Sequence, residues 1–135
     1  RPRHGAAELL RAAAASASIA VVTNNSRRAA EIALRRLVPE LSPLIVGRED
    51  VAHPKPEPAG ILLARQNLAS ASGPVLVIGD SAADIGAAHA AAAKLGEVHL
   101  ALVRGGRGAP SEIEQADADY LVDEPVELVD ICRDE

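Results

Sequence analysis

Apolar and polar positions along this chain fall into short blocks whose period alternates between that of a helix and that of a strand. Ala6 to Ala15 is rich in alanine, with Leu9 and Leu10 on one side, which predicts a helix. Ile19 to Thr23 is a nearly continuous apolar run of strand length, suited to burial on both faces. Arg27 to Leu37 is amphipathic, with Ala30, Leu34 and Leu37 on one helical stripe. Leu44 to Gly47 predicts a second strand, and a proline-rich loop follows it. Pro58 to Leu68 predicts a helix, with Ile61, Leu62 and Arg65 spaced for one buried and one wet face. Val75 to Gly79 reads as the clearest buried strand, and Ala82 to Leu95 as another alanine-rich helix. Val98 to Val103 predicts a strand ended by Gly105-Gly106, Tyr120 to Val122 a short last strand, and Pro125 to Cys132 a closing helix.

Strands that alternate with helices predict an α/β fold, a Rossmann-like three-layer αβα core around a mostly parallel sheet. No internal repeat or low-complexity linker interrupts the pattern, and the alanine runs are helix rather than spacer. In such sheets ligands bind beyond the carboxyl ends of the strands. Thr23 and Asp80 both stand at such ends, which is the first reason to consider them together.

Composition narrows the class. The chain has 135 residues, enough for one domain (1–135) with a core built from Ala, Leu, Val and Ile, since it has one Tyr and no Phe or Trp. The net charge is −5 and the arginines are scattered, which argues against a nucleic-acid surface. Cys132 is the single cysteine and cannot form an internal disulfide, so a reducing, cytoplasmic setting is expected. No apolar run reaches the length of a membrane span, and Arg1-Pro2-Arg3-His4 lacks the apolar core of a signal peptide. There is no methionine, so Arg1 is not an ordinary translation start and an upstream segment is expected.

Three strings carry candidate chemistry. In the first, Val21-Val22-Thr23-Asn24-Asn25-Ser26, an apolar run stops at a hydroxyl just before a helix. Asn and Ser are favoured helix caps, and a helix start beside a hydroxyl is also an anion site; the string fits both readings. In the second, Lys55 stands between Pro54 and Pro56, whose rings stiffen the backbone around the charge. Most lysines are merely solvated, but a rigidly held ammonium is preorganised for an anion such as phosphate. In the third, Val77-Ile78-Gly79-Asp80-Ser81-Ala82-Ala83-Asp84, a buried strand ends on a carboxylate and a second follows on the first helical turn. Oxygen ligands of this kind suit Mg²⁺, which keeps waters and uses one or two carboxylates. Ser81-x-x-Asp84 also resembles a capping box, whereas Asp80 at the end of a buried strand needs a partner. Ser111-Glu112-Ile113-Glu114 reads as a capping box alone, and His4, His53, His89 and His99 lack metal-ligand spacing.

Taken in order, these strings resemble the motifs of the haloacid dehalogenase (HAD) superfamily, in its phosphoglycolate-phosphatase-like branch. His4-Gly5-Ala6-Ala7-Glu8-Leu9-Leu10 is similar to the helix that re-enters the core after the cap. Val21-Val22-Thr23-Asn24 is similar to the second motif, Lys55-Pro56-Glu57-Pro58 to the third, and Gly79-Asp80-Ser81-Ala82-Ala83-Asp84 to the fourth. The resemblance implies a Mg²⁺-dependent phosphatase of a small phosphorylated metabolite that works through an aspartyl-phosphate. Thr23 and Lys55 would be catalytic and would bind the phosphoryl group together with Asn24, and Asp80 and Asp84 would serve the metal. No membrane or nucleic-acid partner is implied.

One departure is large. The first motif, Asp-x-Asp-Gly-Thr, which supplies the nucleophile and the central strand, does not occur in these residues. Without it the sheet would expose the edges of two strands, so a missing N-terminal segment is the expected partner and the chain alone is expected to be inactive. The run Ala91-Ala92-Ala93-Lys94-Leu95-Gly96 stands where the family usually has an Ala-Gly pair, and reads as a slightly longer helix. A phosphomutase of the same branch and a non-catalytic module that keeps the phosphate cradle are the alternatives. A receiver-like signalling domain would order its acids, hydroxyl and lysine the other way round.

Overall fold

The computed structural model describes residues 5–68, 73–104, 113 and 117–133. His4, Gly105-Gly106 and all of the Ser111 capping box except Ile113 lie outside these residues. Helix α1 (Ala6–Ser16) begins after Gly5, whose φ of 85° only glycine adopts freely. Then follow β1 (Ala20–Val22), α2 (Arg27–Leu37), β2 (Leu44–Val46), a 3₁₀ turn (Arg48–Asp50) and α3 (Ala59–Asn67). After them come β3 (Val75–Gly79), α4 (Ala82–Leu95), β4 (Val98–Val103) and β5 (Tyr120–Val122). The predicted closing helix is a 3₁₀ turn (Pro125–Leu128) that runs into a short α5 (Val129–Arg133). No described helix is long and apolar enough to cross a membrane.

All strand pairs are parallel, but they form two units. β1 pairs with β2, Val21 opposite Ile45, while β3, β4 and β5 form a three-stranded sheet with Val77 opposite Leu100 and Leu102 opposite Leu121. The core lies on both faces of the larger sheet. On one face Leu9 and Ala12 of α1 pack with Leu128, Val129 and Cys132 against Ala101 and Val103. On the other, Ala88 of α4 and Ile113 pack on Leu100 and Leu102. Ile61 of α3 meets Ala87 and Ala91 of α4, and α3 also packs on β1 and β2, so it holds the two units together. The small alanine side chains allow this close approach, which gives the three layers that the alternating pattern predicts.

Two expectations, both about strand burial, need correction. β3 is not the most buried strand, because Leu76 and Ile78 on one of its faces are 36% and 38% exposed. The strand covered on both faces is β4, where residues 100–103 are all buried. β1 is half-buried along its length. Both β1 and β3 keep one edge with no strand partner among the described residues, which is why their apolar residues stay partly open. In α2 the Ala30, Leu34 and Leu37 stripe is half-buried, as its amphipathic pattern predicts.

Candidate phosphate and metal site

The three candidate strings meet at the carboxyl ends of β1 and β3. Thr23 continues the pairing of β1, its N–H donating to the Val46 carbonyl at 3.0 Å. Its hydroxyl oxygen accepts the Asn25 N–H at 3.0 Å, which leaves the hydroxyl proton free to donate. Ser26 then caps α2 by accepting the Ala29 N–H at 3.1 Å. Both sequence readings of this string are therefore compatible: Ser26 does the capping, and Thr23 stays at the open end of the strand.

Lys55 is held from two sides. The Lys55–Pro56 peptide is cis, and Glu57 N–H donates to the Pro54 carbonyl at 3.1 Å. Asn24 accepts the Lys55 N–H at 3.0 Å and donates its amide to the Lys55 carbonyl at 3.1 Å. The Lys55 ammonium reaches across to Asp84 at 2.6 Å. Pro56 rests on α4 at Gly86, where an added Cβ would stand 2.8 Å from the Pro56 Cβ. The loop can come this close to the helix only over a glycine.

Asp84 is the one buried charged residue among those described. One carboxylate oxygen takes Lys55, and the other accepts the Asp80 N–H at 2.9 Å and the Ser81 hydroxyl at 3.0 Å. Burial by itself would raise its pKa, but the hydrogen bond and charge of Lys55, with Asp80 N–H and Ser81, outweigh it and hold the carboxyl below its ordinary range. The backbone at Gly79 makes this possible, because a Cβ there would run into the Asp84 carboxylate. The Asp80 carboxylate, in contrast, has no hydrogen-bond or ion-pair partner among the described residues.

The donor set suits a hard cation in part. Asp80 offers a half-buried carboxylate with open lone pairs, whereas both oxygens of Asp84 are already engaged. Two carboxylates plus waters and phosphate oxygens are a common set for Mg²⁺. No cluster of three or more His, Cys, Asp or Glu that could hold a metal occurs among the described residues, so any ion here draws ligands from elsewhere as well.

The structure thus joins Asn24, Lys55, Asp84 and Asp80 in one hydrogen-bonded chain, with Thr23 next to Asn24. Sequence reasoning missed the Asn24–Lys55 clasp, the Lys55–Asp84 pair and the bond from the Ser81 hydroxyl to the Asp84 carboxylate. The helix cap expected from Ser81-x-x-Asp84 is present, the Ser81 hydroxyl accepting the Asp84 N–H at 3.3 Å. A concavity of about 330 Å³ lies elsewhere, by Ser18, Ile19 and Leu44 at the opposite ends of β1 and β2. No charged residue lines it, so it has none of the chemistry found at the carboxyl ends.

Known proteins resemble this chain in sequence and fold. Residues 1–92 match the family model of haloacid dehalogenase-like hydrolases. The chain is 37% identical over 134 residues to the N-acetylmuramic acid 6-phosphate phosphatase of Pseudomonas aeruginosa, covering 97% of this chain and 57% of that protein. It superposes on a predicted phosphoglycolate phosphatase from Haemophilus somnus with a TM-score of 0.80 at 26% identity, covering 97% of this chain and 57% of the other. CbbY from Rhodobacter sphaeroides, solved in complex with phosphate, gives a TM-score of 0.75 at 27% identity, with 93% and 55% covered. The chain therefore spans a little over half the length of the relatives it matches.

Proposed function

Because the chain belongs to the haloacid dehalogenase-like hydrolase family, we propose that it supplies the phosphate- and metal-binding part of a Mg²⁺-dependent phosphatase of small phosphorylated metabolites. The observation that carries this reading is that Asn24 of the loop after β1 and Asp84 in the first turn of α4 both hold Lys55 at the carboxyl ends of β1 and β3. Thr23 donates its hydroxyl proton to a phosphoryl oxygen, and the two ammonium protons not used by Asp84 neutralise its charge. Asp80 ligates Mg²⁺ directly, while Asp84 acts from behind it because its own oxygens are engaged. When bound, the ion supplies positive charge that favours phosphoryl transfer. The relative from Pseudomonas aeruginosa points to a sugar phosphate as the substrate class.

The nucleophilic aspartate comes from a segment outside these 135 residues, as the absence of an Asp-x-Asp-Gly-Thr string suggests. The edges of β1 and β3 that have no strand partner among the described residues support a strand entering between them. The test uses the 135-residue chain with Mg²⁺. Inorganic phosphate is expected to shift the amide resonances of Thr23 and Lys55, and an aryl phosphate is expected to undergo no turnover. Unmoved resonances would overturn the binding role, and turnover that Asp80→Asn abolishes would overturn the external nucleophile.

A further inference from the structure

We infer that the Asn24 side chain acts on the phosphorylated substrate through Lys55, as a positioning residue. The inference rests on the proposed phosphate-binding role of Lys55. Asn24 directs its carboxamide oxygen and its amide at one residue, accepting the Lys55 N–H at 3.0 Å and donating to the Lys55 carbonyl at 3.1 Å. Lys55 carries the only backbone N–H in Pro54-Lys55-Pro56, because proline has none. The clasp thus occupies the one donor by which this stretch can be fixed from the backbone.

The consequence lies in where Lys55 stands. Its backbone is tied to the loop after β1, while its ammonium is tied to Asp84 on α4, which packs on β3 and β4. A four-carbon side chain that spans two separate β units reaches a fixed point only if its base is fixed. Asn24 does this while spending both ends of its carboxamide on the backbone. A phosphate contact that drew the carboxamide out of the clasp would release the charge that binds the phosphate.

A double-mutant cycle separates the two roles. Inorganic phosphate affinity is measured with Mg²⁺ for the unsubstituted chain, Asn24→Ala, Lys55→Met and the double variant. If Asn24 acts through Lys55, Asn24→Ala weakens binding about tenfold in the presence of Lys55 and has no further effect once Lys55 is Met. Equal, additive losses in both backgrounds would overturn the inference.

A second readout does not depend on phosphate. The chain has two lysines, Lys55 and exposed Lys94, so acylation by a succinimidyl ester, followed by mass spectrometry, carries its own control. Asn24→Ala is expected to speed acylation of Lys55 several-fold and to leave Lys94 unchanged, and an unchanged Lys55 rate overturns the inference. If the unsubstituted chain binds no phosphate, the proposed function fails, and the acylation rates still decide whether Asn24 fixes Lys55. Asn24 is exposed, so its replacement should leave the fold intact; Asn24→Ser, too short to reach both partners, provides an independent repeat.

Discussion

Replacing Asp84 by Asn tests the centre of the site with the least change in shape. Both carboxylate oxygens accept hydrogen bonds, one from Lys55 at 2.6 Å and the other from Asp80 N–H and Ser81 at 2.9 and 3.0 Å. An amide has one acceptor end only. In either orientation its NH₂ faces donors, and Lys55 loses its countercharge. Removing one partner of a fully buried pair costs about 3–5 kcal/mol; the side chains here keep 17% and 10% exposure, so the lower end of that range, about 3 kcal/mol, applies. For a domain of this size that lowers the melting temperature by roughly 10 °C. Urea and thermal unfolding followed by circular dichroism would measure it, with the exposed Arg11–Glu40 pair as a control that should change little. Because the folded Asp84 carboxyl is more acidic than in the unfolded chain, its stabilisation is complete above the ordinary aspartate value of 3.8 and is lost as the pH falls through the folded value. The gap between Asp84→Asn and the unsubstituted chain should therefore be widest near neutral pH and close in acid. A loss below about 1 kcal/mol at neutral pH, the range of exposed ion pairs, would refute this account of the site.

Gly79→Ala should cost stability on the same scale, about 2–3 kcal/mol, because the added methyl displaces the Asp84 carboxylate from its partners; a neutral effect in the same unfolding assay would show that Asp84 can move away freely. At the far end of β4, the hydrogen bond that the His99 ring donates to Glu97 and the charge of Asp119 raise the His99 pKa against the opposing effect of burial. Its NMR titration should have a midpoint above 6.5 that Glu97→Gln lowers, and the linked stabilisation is present below 6.5 and fades as the pH rises through the folded value. A midpoint unmoved by Glu97→Gln would assign the shift elsewhere.

The sequence by itself determined the order and kind of most elements and singled out the candidate residues at the strand ends. Regular blocks of apolar period are local signals, and the limits of α2, β3, α4, β4 and β5 agree with them. Thr23, Lys55 and Asp80 are legible because each interrupts such a block with a polar group at a strand end or between prolines. Burial was not legible in the same way. Val75 to Gly79 and Val98 to Val103 are similarly apolar strings, yet only β4 has neighbours on both edges and layers on both faces. An apolar run states that a strand can be buried; its partners decide whether it is.

Only the tertiary structure decided what each polar group does. Asn24 and Lys55 are 31 residues apart, and Lys55 and Asp84 are 29 apart, so no local pattern could pair them. The sequence sets Asp84 in a capping box and Asp80 at a strand end, but only folding shows that Asp84 is saturated while the Asp80 carboxylate has no partner among the described residues. The reason is a matter of space: Gly79 lets the Asp84 carboxylate reach the end of β3, and Gly86 lets the Lys55 loop come down on the same helix.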